Sequence, residues 1–202
     1  QHKMGSIPQK IGDIYNLSMD TARRNQEGIA PVLPVLQEIE NVTDKAQWSE
    51  VLGKAMDFGL WAMYVDADAM NSSMNILNEY QAGFALSQKD YYIDDDEHTK
   101  HIRAEYLKHV EKMFELFGQA HAAEKAATIL RLETRLAKAA FSNVELRDPI
   151  ANYNKMSVEE LQKLVPEVDW QVYFAGMNIA PDSLSVGQIR HLQEAGKMLA
   201  EE

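Results

Sequence analysis

Residues 60–80 of the chain, LWAMYVDADAMNSSMNILNEY, hold the strongest signal for a fold. Residues 60–65 and 73–80 are rich in aliphatic and aromatic side chains and fit extended strands. The polar residues 66–72 between them are typical of a turn. The sequence therefore predicts one short β-hairpin over about residues 60–80, with Asp66 and Asp68 solvated at its polar end. Because two strands alone are marginally stable in water, helices must cover one face of the hairpin.

Upstream of the hairpin the sequence predicts three helices. Residues 9–27 carry apolar side chains at helical spacing. A short helix begins near Pro34, where proline fits the first turn. Thr43 or Asp44 caps the third helix, because Gln47 follows Asp44 at the spacing of a capping box. The stripe that we expect to be buried in this third helix is Trp48, Val51, Leu52 and Ala55.

Downstream of the hairpin helices dominate. The acidic residues 94–97 suit the positive N-terminus of a long helix, which Gly118 ends. A second long helix spans about residues 120–140, and the short break predicts an antiparallel pair. Ser157 begins a capping box, and a last amphipathic helix covers about residues 186–199. The predicted fold class is mainly α, a helical domain with one short β-hairpin.

Composition limits the classes of function. The chain has 202 residues, 46% of them hydrophobic, and a net charge of −11. This length and apolar content predict one domain with a packed core. The negative charge argues against nucleic acid and against an anionic membrane surface as partners. Cysteine is absent, which removes disulfides and thiolate metal sites. No apolar run approaches the ~20 residues that span a bilayer, so we expect no membrane contact by this segment.

Catalytic and metal-binding patterns were sought among the histidines and carboxylates. None of the six histidines is followed by glutamate, so the His-Glu-x-x-His pattern of zinc peptidases is absent. His98, His101 and Glu105 share a helical face and are an alternative metal set, although a charged solvent face gives the same pattern. We predict no catalytic residue and no metal ligand in this sequence.

Two polar segments are candidates for cavity or inter-domain contacts. Asn71 lies at the predicted hairpin end, and Arg147 and Asp148 precede a proline in a loop that continues to Tyr153 and Asn154. Adjacent opposite charges beside a proline are unusual in a simple connection. The alternative is structural, in which Arg147 bonds carboxylates or helix carbonyls and holds the long helix in place.

Four blocks of the sequence, taken in order, resemble one enzyme family. The blocks are YNLSMD at residues 15–20, DADAMNS at residues 66–72, QAGFAL…DYY at residues 81–92 and LRDPIANYNKM at residues 146–156. They are similar to the N-terminal domain of the neprilysin and endothelin-converting-enzyme family of zinc metallopeptidases, in its bacterial oligopeptidase-O form. Ser18 stands where animal members place a disulfide cysteine, which favours a bacterial member.

The resemblance implies a function that this chain performs only in part. Family members enclose a central cavity between two mainly helical domains, and the C-terminal one binds zinc. Residues 1–202 are then one partial domain, the cap that restricts access to short peptides. The implied partners are the C-terminal catalytic domain of the same chain and short peptide substrates, with zinc as cofactor of the parent protein. The chain alone is expected to be inactive.

The resemblance also bears on location, and one alternative function stays open. It implies a periplasmic, cell-envelope or secreted protein. The alternative is a stand-alone helical module that binds peptides or a protein partner without catalysis.

Overall fold

The structure, a computed structural model, describes residues 2–55 and 59–201. The chain divides into two units, Gln1–Asn41 and Val42–Glu202. Ten α-helices and four β-strands lie within the described ranges. The predicted class, mainly α with a hairpin near residues 60–80, is confirmed.

The first unit is entirely helical in its regular elements. It contains α1 (Ile7–Met19), α2 (Thr21–Glu27) and α3 (Leu33–Glu40). The single helix predicted over residues 9–27 is broken at Asp20, whose carboxylate accepts a hydrogen bond of 2.9 Å from the Arg23 amide and caps α2. Pro34 lies in the first turn of α3, as predicted. None of these helices has a buried residue.

The second unit contains all four strands. It begins with α4 (Lys45–Lys54), β1 (Trp61–Asp68), β2 (Asn71–Gln81), α5 (Asp90–Ile93), α6 (Glu97–Leu116) and α7 (Ala122–Ala139). It continues with a 3₁₀ turn (Glu145–Arg147), β3 (Asn154–Ser157), α8 (Val158–Leu164), α9 (Trp170–Gly176), β4 (Ser183–Val186) and α10 (Ile189–Glu201).

Helices α4, α6 and α8 begin where the sequence predicted, and the structure adds that Asp96 is the capping residue of the acidic segment 94–97. Asp44 caps α4 and Asp96 caps α6, each through its carboxylate and backbone amides of the first turn. Ser157 and Glu160 form the predicted capping box of α8. Gly118 follows α6 with φ of +69°, a conformation that favours glycine.

Helix α4 is pressed against α9 at two glycines. A Cβ atom added to Gly53 would lie 2.1 Å from the carbonyl oxygen of Tyr173, and one added to Gly176 would lie 2.8 Å from that of Glu50. The two backbones therefore approach too closely for any larger residue.

The buried face of α4 agrees only in part with its predicted stripe. Val51 and Leu52 are buried, as predicted. Trp48 was predicted to be buried and is 37% exposed instead. Its ring lines a surface cavity of about 490 Å³ between α4 and the last turn of α10. The prediction for Trp48 failed because helical spacing shows only which side chains share a face of the helix. It does not show how much of that face the neighbouring elements cover.

The four strands form one sheet in the order β1-β2-β4-β3. β1 and β2 are the predicted antiparallel hairpin, β4 runs parallel to β2, and β3 is antiparallel to β4. The sequence did not predict β3 and β4, since four residues are too few to show a period. The last helix consequently begins at Ile189 and not near Val186, which lies in β4.

The core lies where the start of the hairpin meets α9. Trp61, Trp170 and Tyr173 pack with ring centroids 5.3 to 5.6 Å apart. The indole of Trp61 donates a hydrogen bond of 3.0 Å to the Tyr173 hydroxyl, and that of Trp170 donates one of 3.0 Å to the Val165 carbonyl. Each buried ring N–H thus has an acceptor, as buried indoles require.

The hairpin has two parts with different surroundings. The hairpin base, residues 61–63 and 76–81, packs on the core and on β4. The hairpin tip, residues 64–75, is exposed at every residue except Asp68. The tip is therefore a two-stranded segment that does not pack on the core.

Candidate functional site

Asp68 anchors the hairpin tip to a distant segment of the chain. It is only 2% exposed. Its carboxylate accepts hydrogen bonds from the Tyr153 hydroxyl at 2.6 Å, the Lys155 Nζ at 2.9 Å and the Met70 amide at 2.9 Å. These donors, led by Tyr153, lower the pKa of Asp68 to about 2, because each of them stabilises the charged form. The prediction of a solvated Asp68 is therefore wrong.

This anchor joins the two segments that the sequence singled out. Tyr153 belongs to the predicted loop, and Asn71 lies three residues after Asp68 at the start of β2. Asn71 is exposed, and its side-chain oxygen accepts a hydrogen bond of 2.7 Å from the Ser73 hydroxyl. Lys155 was not predicted as a partner of the tip. One signal in the sequence could have indicated this pairing. Residues 55–88 contain no lysine or arginine, so a cation for the acidic tip has to come from another segment.

Asp148 and Asn154 shape the loop. The Asp148 carboxylate accepts hydrogen bonds from the Ile150 amide at 2.9 Å and the Ala151 amide at 3.1 Å. The Asn154 amide group donates to the Ala151 carbonyl at 3.2 Å and to the Val186 carbonyl at 2.9 Å. Both side chains thus have local structural partners, as is usual for such residues in turns.

Arg147 differs from its neighbours because its side chain is exposed and bonds to none of the described residues. The structural role considered for it belongs to Arg190. That guanidinium binds both oxygens of Glu145 at 2.8 and 2.9 Å and donates to the carbonyls of Ala139 at 2.8 Å and Ala140 at 3.0 Å. The Arg190 ion pair lowers the pKa of Glu145 to about 2.

Asn152, which sequence reasoning missed, holds the loop against α10. Its side-chain nitrogen donates to the carbonyls of Glu145 at 2.8 Å and Asp148 at 2.7 Å. Its oxygen accepts a hydrogen bond of 2.7 Å from the Gln188 side chain. These hydrogen bonds hold the loop in place, whereas the Arg147 side chain bonds to none of the described residues.

Exposed apolar side chains occur in both the tip and the loop. Val65 and Met70 in the tip are each 65% exposed, and Ile150 in the loop is 77% exposed. We call the set of Val65, Met70, Asn71, Arg147 and Ile150 the tip–loop surface. Exposed apolar side chains that form a patch are typical of a contact surface.

A second buried carboxyl group lies in the hairpin base. Glu79 is 1% exposed, and one oxygen accepts hydrogen bonds from the Gly187 amide at 3.2 Å and the Gln188 amide at 3.4 Å. Its other oxygen has no partner among the described residues. Burial raises the pKa of Glu79 to about 8, because the charged form loses its hydration. Burial likewise lowers the pKa of His191 to about 4.

Metal ligands do not converge in the described part of the chain. No group of three or more histidine, aspartate or glutamate residues there could hold a metal ion. In the alternative set of His98, His101 and Glu105, the glutamate instead pairs with Lys108 at 2.7 Å. Residues 2–55 and 59–201 therefore offer no set of side chains that fits a zinc site. Among residues 2–55 and 59–201, no helix is long and apolar enough to cross a membrane.

The fold is a mainly helical domain with a small mixed sheet. The chain belongs to peptidase family M13, whose sequence model matches residues 1–202. This confirms the family resemblance inferred from the four sequence blocks.

Curated relatives are longer than this chain. Mouse endothelin-converting enzyme-like 1 is 27% identical over 183 residues, which cover 83% of this chain and 24% of the relative. Neprilysin-11 of Caenorhabditis elegans is 27% identical over 188 residues, with 82% and 22% covered. The chain thus spans about a quarter of the length of the curated relatives it matches.

The chain also covers only part of each solved structure that it matches. The zinc metalloprotease Zmp1 of Mycobacterium tuberculosis in its open state matches with a TM-score of 0.89 and 28% identity, over 100% of this chain and 32% of Zmp1. Zmp1 in complex with an inhibitor gives 0.87 and 27%, over 98% and 31%. PepO of Lactobacillus rhamnosis, at 0.70 and 20% identity over 89% and 32%, supports the fold alone.

Proposed function

We propose that this chain is the non-catalytic portion of a zinc-dependent metalloendopeptidase, the helical cap that encloses a central cavity and restricts access to short peptides. A C-terminal zinc domain of the same protein performs the proteolysis. The zinc ion there activates water for attack on the peptide bond. Residues 1–202 form one partial domain of that larger protein.

One observation carries the proposal. The whole chain superposes on Zmp1 with a TM-score of 0.89, yet it covers only 32% of that zinc metalloprotease. The described residues of the chain lack a metal-binding cluster of their own. A piece with the family's fold and without its metal ligands is suited to a positioning or enclosing role.

We also propose that the tip–loop surface contacts the cavity or the catalytic domain in the parent protein. Its support is that the bond between Tyr153 and Asp68 joins the tip to the loop, and that both segments carry exposed side chains. These are Val65 and Met70 in the tip and Arg147 and Ile150 in the loop. Asn71 lies in the same surface. Asp148, Tyr153 and Asn154 hold it in shape through their hydrogen bonds.

Activity of the purified chain tests the main proposal. We expect residues 1–202 with added zinc to show no chelator-sensitive cleavage of peptides, whereas the parent protein cleaves them. Antibodies raised against the chain should detect a native protein several times heavier than 22.9 kDa. Zinc-dependent turnover by the chain alone contradicts the proposal. A native band near 22.9 kDa would instead support the stand-alone binding module.

Substitutions in the parent protein test the tip–loop surface. Met70→Ser and Ile150→Ser should each lower kcat/KM about tenfold, because they remove apolar contacts with the catalytic domain. The matched control is Leu116→Ser at the end of α6, which is 64% exposed and outside the surface. Equal effects of all three substitutions would contradict a specific contact.

The proposal extends to location. We place the parent protein in the periplasm, at the cell envelope or outside the cell, as the family resemblance implies. Fractionation of the host with the same antibodies tests this, and recovery only in the cytoplasmic fraction would contradict it.

A further inference from the structure

Strand β1 forms one edge of the sheet. The N–H and C=O groups of its successive residues point alternately toward β2 and away from the sheet. The Glu79 carbonyl accepts a hydrogen bond from the Gly187 amide beyond β4, so the odd-numbered residues of β2 face β4. The even-numbered residues of β2 therefore face β1, and Asn78 pairs with Tyr64. Because opposite residues of an antiparallel pair exchange both hydrogen bonds or none, Met63 and Val65 direct their N–H and C=O groups outward.

These outward groups of Met63 and Val65 have no hydrogen-bond partner among residues 2–55 and 59–201. The next outward amide, that of Ala67, already donates to the Asp66 carboxylate at 2.7 Å. A bulge between Ala67 and Asp68 then ends the regular edge. The free edge therefore centres on Met63 and Val65.

Over Met63 and Val65 the edge lacks two residues that commonly prevent strand addition, lysine and proline. Residues 55–88 contain no lysine, arginine or proline. The edge is thus open to pairing with another extended chain.

Side chains beside the edge indicate what kind of chain would fit. Tyr64 is 48% exposed and Tyr80 is 39% exposed. They lie on one face of the hairpin together with the exposed Asp66, since Tyr64 is opposite Asn78 and Ala62 is opposite Tyr80. Aromatic rings beside a carboxylate attract a cationic side chain.

We propose that the outer edge of β1 binds an extended peptide as an antiparallel fifth strand. Met63 and Val65 supply the main-chain hydrogen bonds, and a lysine or arginine of the peptide lies beside Tyr64 and Asp66. Binding by strand addition draws its affinity from the backbone and its selectivity from alternate side chains. The inference rests on the proposed function, because a peptidase encounters extended peptides.

A second copy of the chain fits this edge less well. Each copy carries a net charge of −11, so two copies repel each other. Residues 55–88 of a partner copy would also bring no cation to Asp66. Charge therefore favours a cationic peptide over self-association.

The first test uses two peptide isomers of identical composition. The probe is an acetylated and amidated octapeptide of alternating lysine and valine. In the proposed pairing the valines lie opposite Met63 and Val65, so their N–H groups point toward β1, while the lysine N–H groups point away. N-methylation of the valines should weaken binding at least tenfold, and N-methylation of the lysines should leave it within twofold. Any other pattern overturns the proposal.

Binding is measured on residues 1–202 by NMR titration. We expect the amides of Met63 and Val65 to gain protection from hydrogen exchange when the unmethylated probe binds. Because neither zinc nor turnover is involved, failure here is distinct from failure of the proposed cap function, which the activity of the parent protein tests.

A protein variant tests the same edge from the other side. Val65→Pro removes one outward N–H and leaves the β1–β2 ladder intact, since proline is tolerated at such edge positions. We expect at least tenfold weaker binding of the octapeptide, whereas Val65→Ala, which keeps the N–H, should bind normally. Equal binding by both variants overturns the proposal. A concentration-dependent dimer of the unmodified chain that Val65→Pro abolishes would assign the edge to a second copy instead, and likewise overturns it.

Discussion

The tip and the base of one hairpin each bury a carboxyl group, and the two groups behave in opposite ways. Asp68 in the tip is 2% exposed and has a pKa of about 2. Glu79 in the base is 1% exposed and has a pKa of about 8. The difference comes from the loss of hydration, which is much larger for Glu79, and from the partners of the two groups. Asp68 receives a cation, a hydroxyl and an amide, while Glu79 receives two amides on one oxygen only.

The comparison shows two ways of holding a ribbon to a domain. The base is held by packing, and its carboxyl group remains protonated near neutral pH because burial outweighs the two backbone amides that stabilise the charge. The tip buries almost no apolar surface and is held by one charged anchor. Equally low exposure therefore has opposite consequences when the depth of the site and the charge of its surroundings differ.

The largest expected effect separates packing in the base from packing in the tip. Trp61→Ala should lower the free energy of unfolding by about 3–5 kcal/mol, because Trp61 is 2% exposed and lies in the core. Val65→Ala on the same strand should change it by less than about 0.5 kcal/mol, because Val65 is 65% exposed. Denaturant titration of both variants measures this, and similar losses would contradict the division into base and tip.

The next effect concerns the raised pKa in the base. The folded chain retains a proton on Glu79 that the unfolded chain releases above about pH 4.5, so stability falls as the pH rises toward 8. Glu79→Gln keeps the acceptor and abolishes the titration. Between pH 6 and 8 we expect the wild type to lose about 2 kcal/mol relative to the variant. Parallel pH profiles of the free energy of unfolding for the two proteins would contradict this.

The tip should respond at the acid end of the scale. The lowered pKa of Asp68 contributes stability that is present above its ordinary value of 3.8 and is lost as the pH falls through about 2. Tyr153→Phe removes the largest cause of the shift, so the NMR titration midpoint of Asp68 should rise. Tyr64→Phe, also in the tip and without a bond to Asp68, is the control and should leave the midpoint unchanged.

The smallest effect distinguishes the structural loop residue from the available one. Asn152→Ala should cost about 1 kcal/mol, because two carbonyls lose their donor. Arg147→Ala should stay within about 0.5 kcal/mol, since its side chain contacts none of the described residues through hydrogen bonds or charge. Thermal unfolding of both variants tests the assignment, and a larger loss for Arg147→Ala would give that residue a structural role.

Local signals in the sequence predicted much of the fold. Asp44 and Ser157 were recognised as helix starts because a cap and its amide partners lie within one turn. The start of α6 was recognised from the acidic residues 94–97, which suit a helix N-terminus. The hairpin was recognised from two apolar segments that flank a polar turn. By contrast, β3 and β4 have four residues each and exist only through pairing with distant strands.

The contacts of the site could not be predicted in the same way. Asp68 looked solvated because its neighbours in sequence are polar, and its partner Lys155 lies 87 residues away. Arg147 and Arg190 look equally able to bind helix carbonyls, and only the packed position of α10 gives that role to Arg190. The family blocks marked which segments matter, while the partners of each residue depended on the tertiary structure.

The glycine contact between α4 and α9 has a consequence for divergence within the family. Since a Cβ atom at Gly53 or Gly176 would collide with the backbone of the opposite helix, neither position can enlarge while the other helix stays where it is. The two positions should therefore change together in relatives, and only where the spacing between these helices has also changed. Glycine at both positions, which are 123 residues apart (176 − 53), would then indicate that α4 and α9 of a relative are packed as closely as they are here.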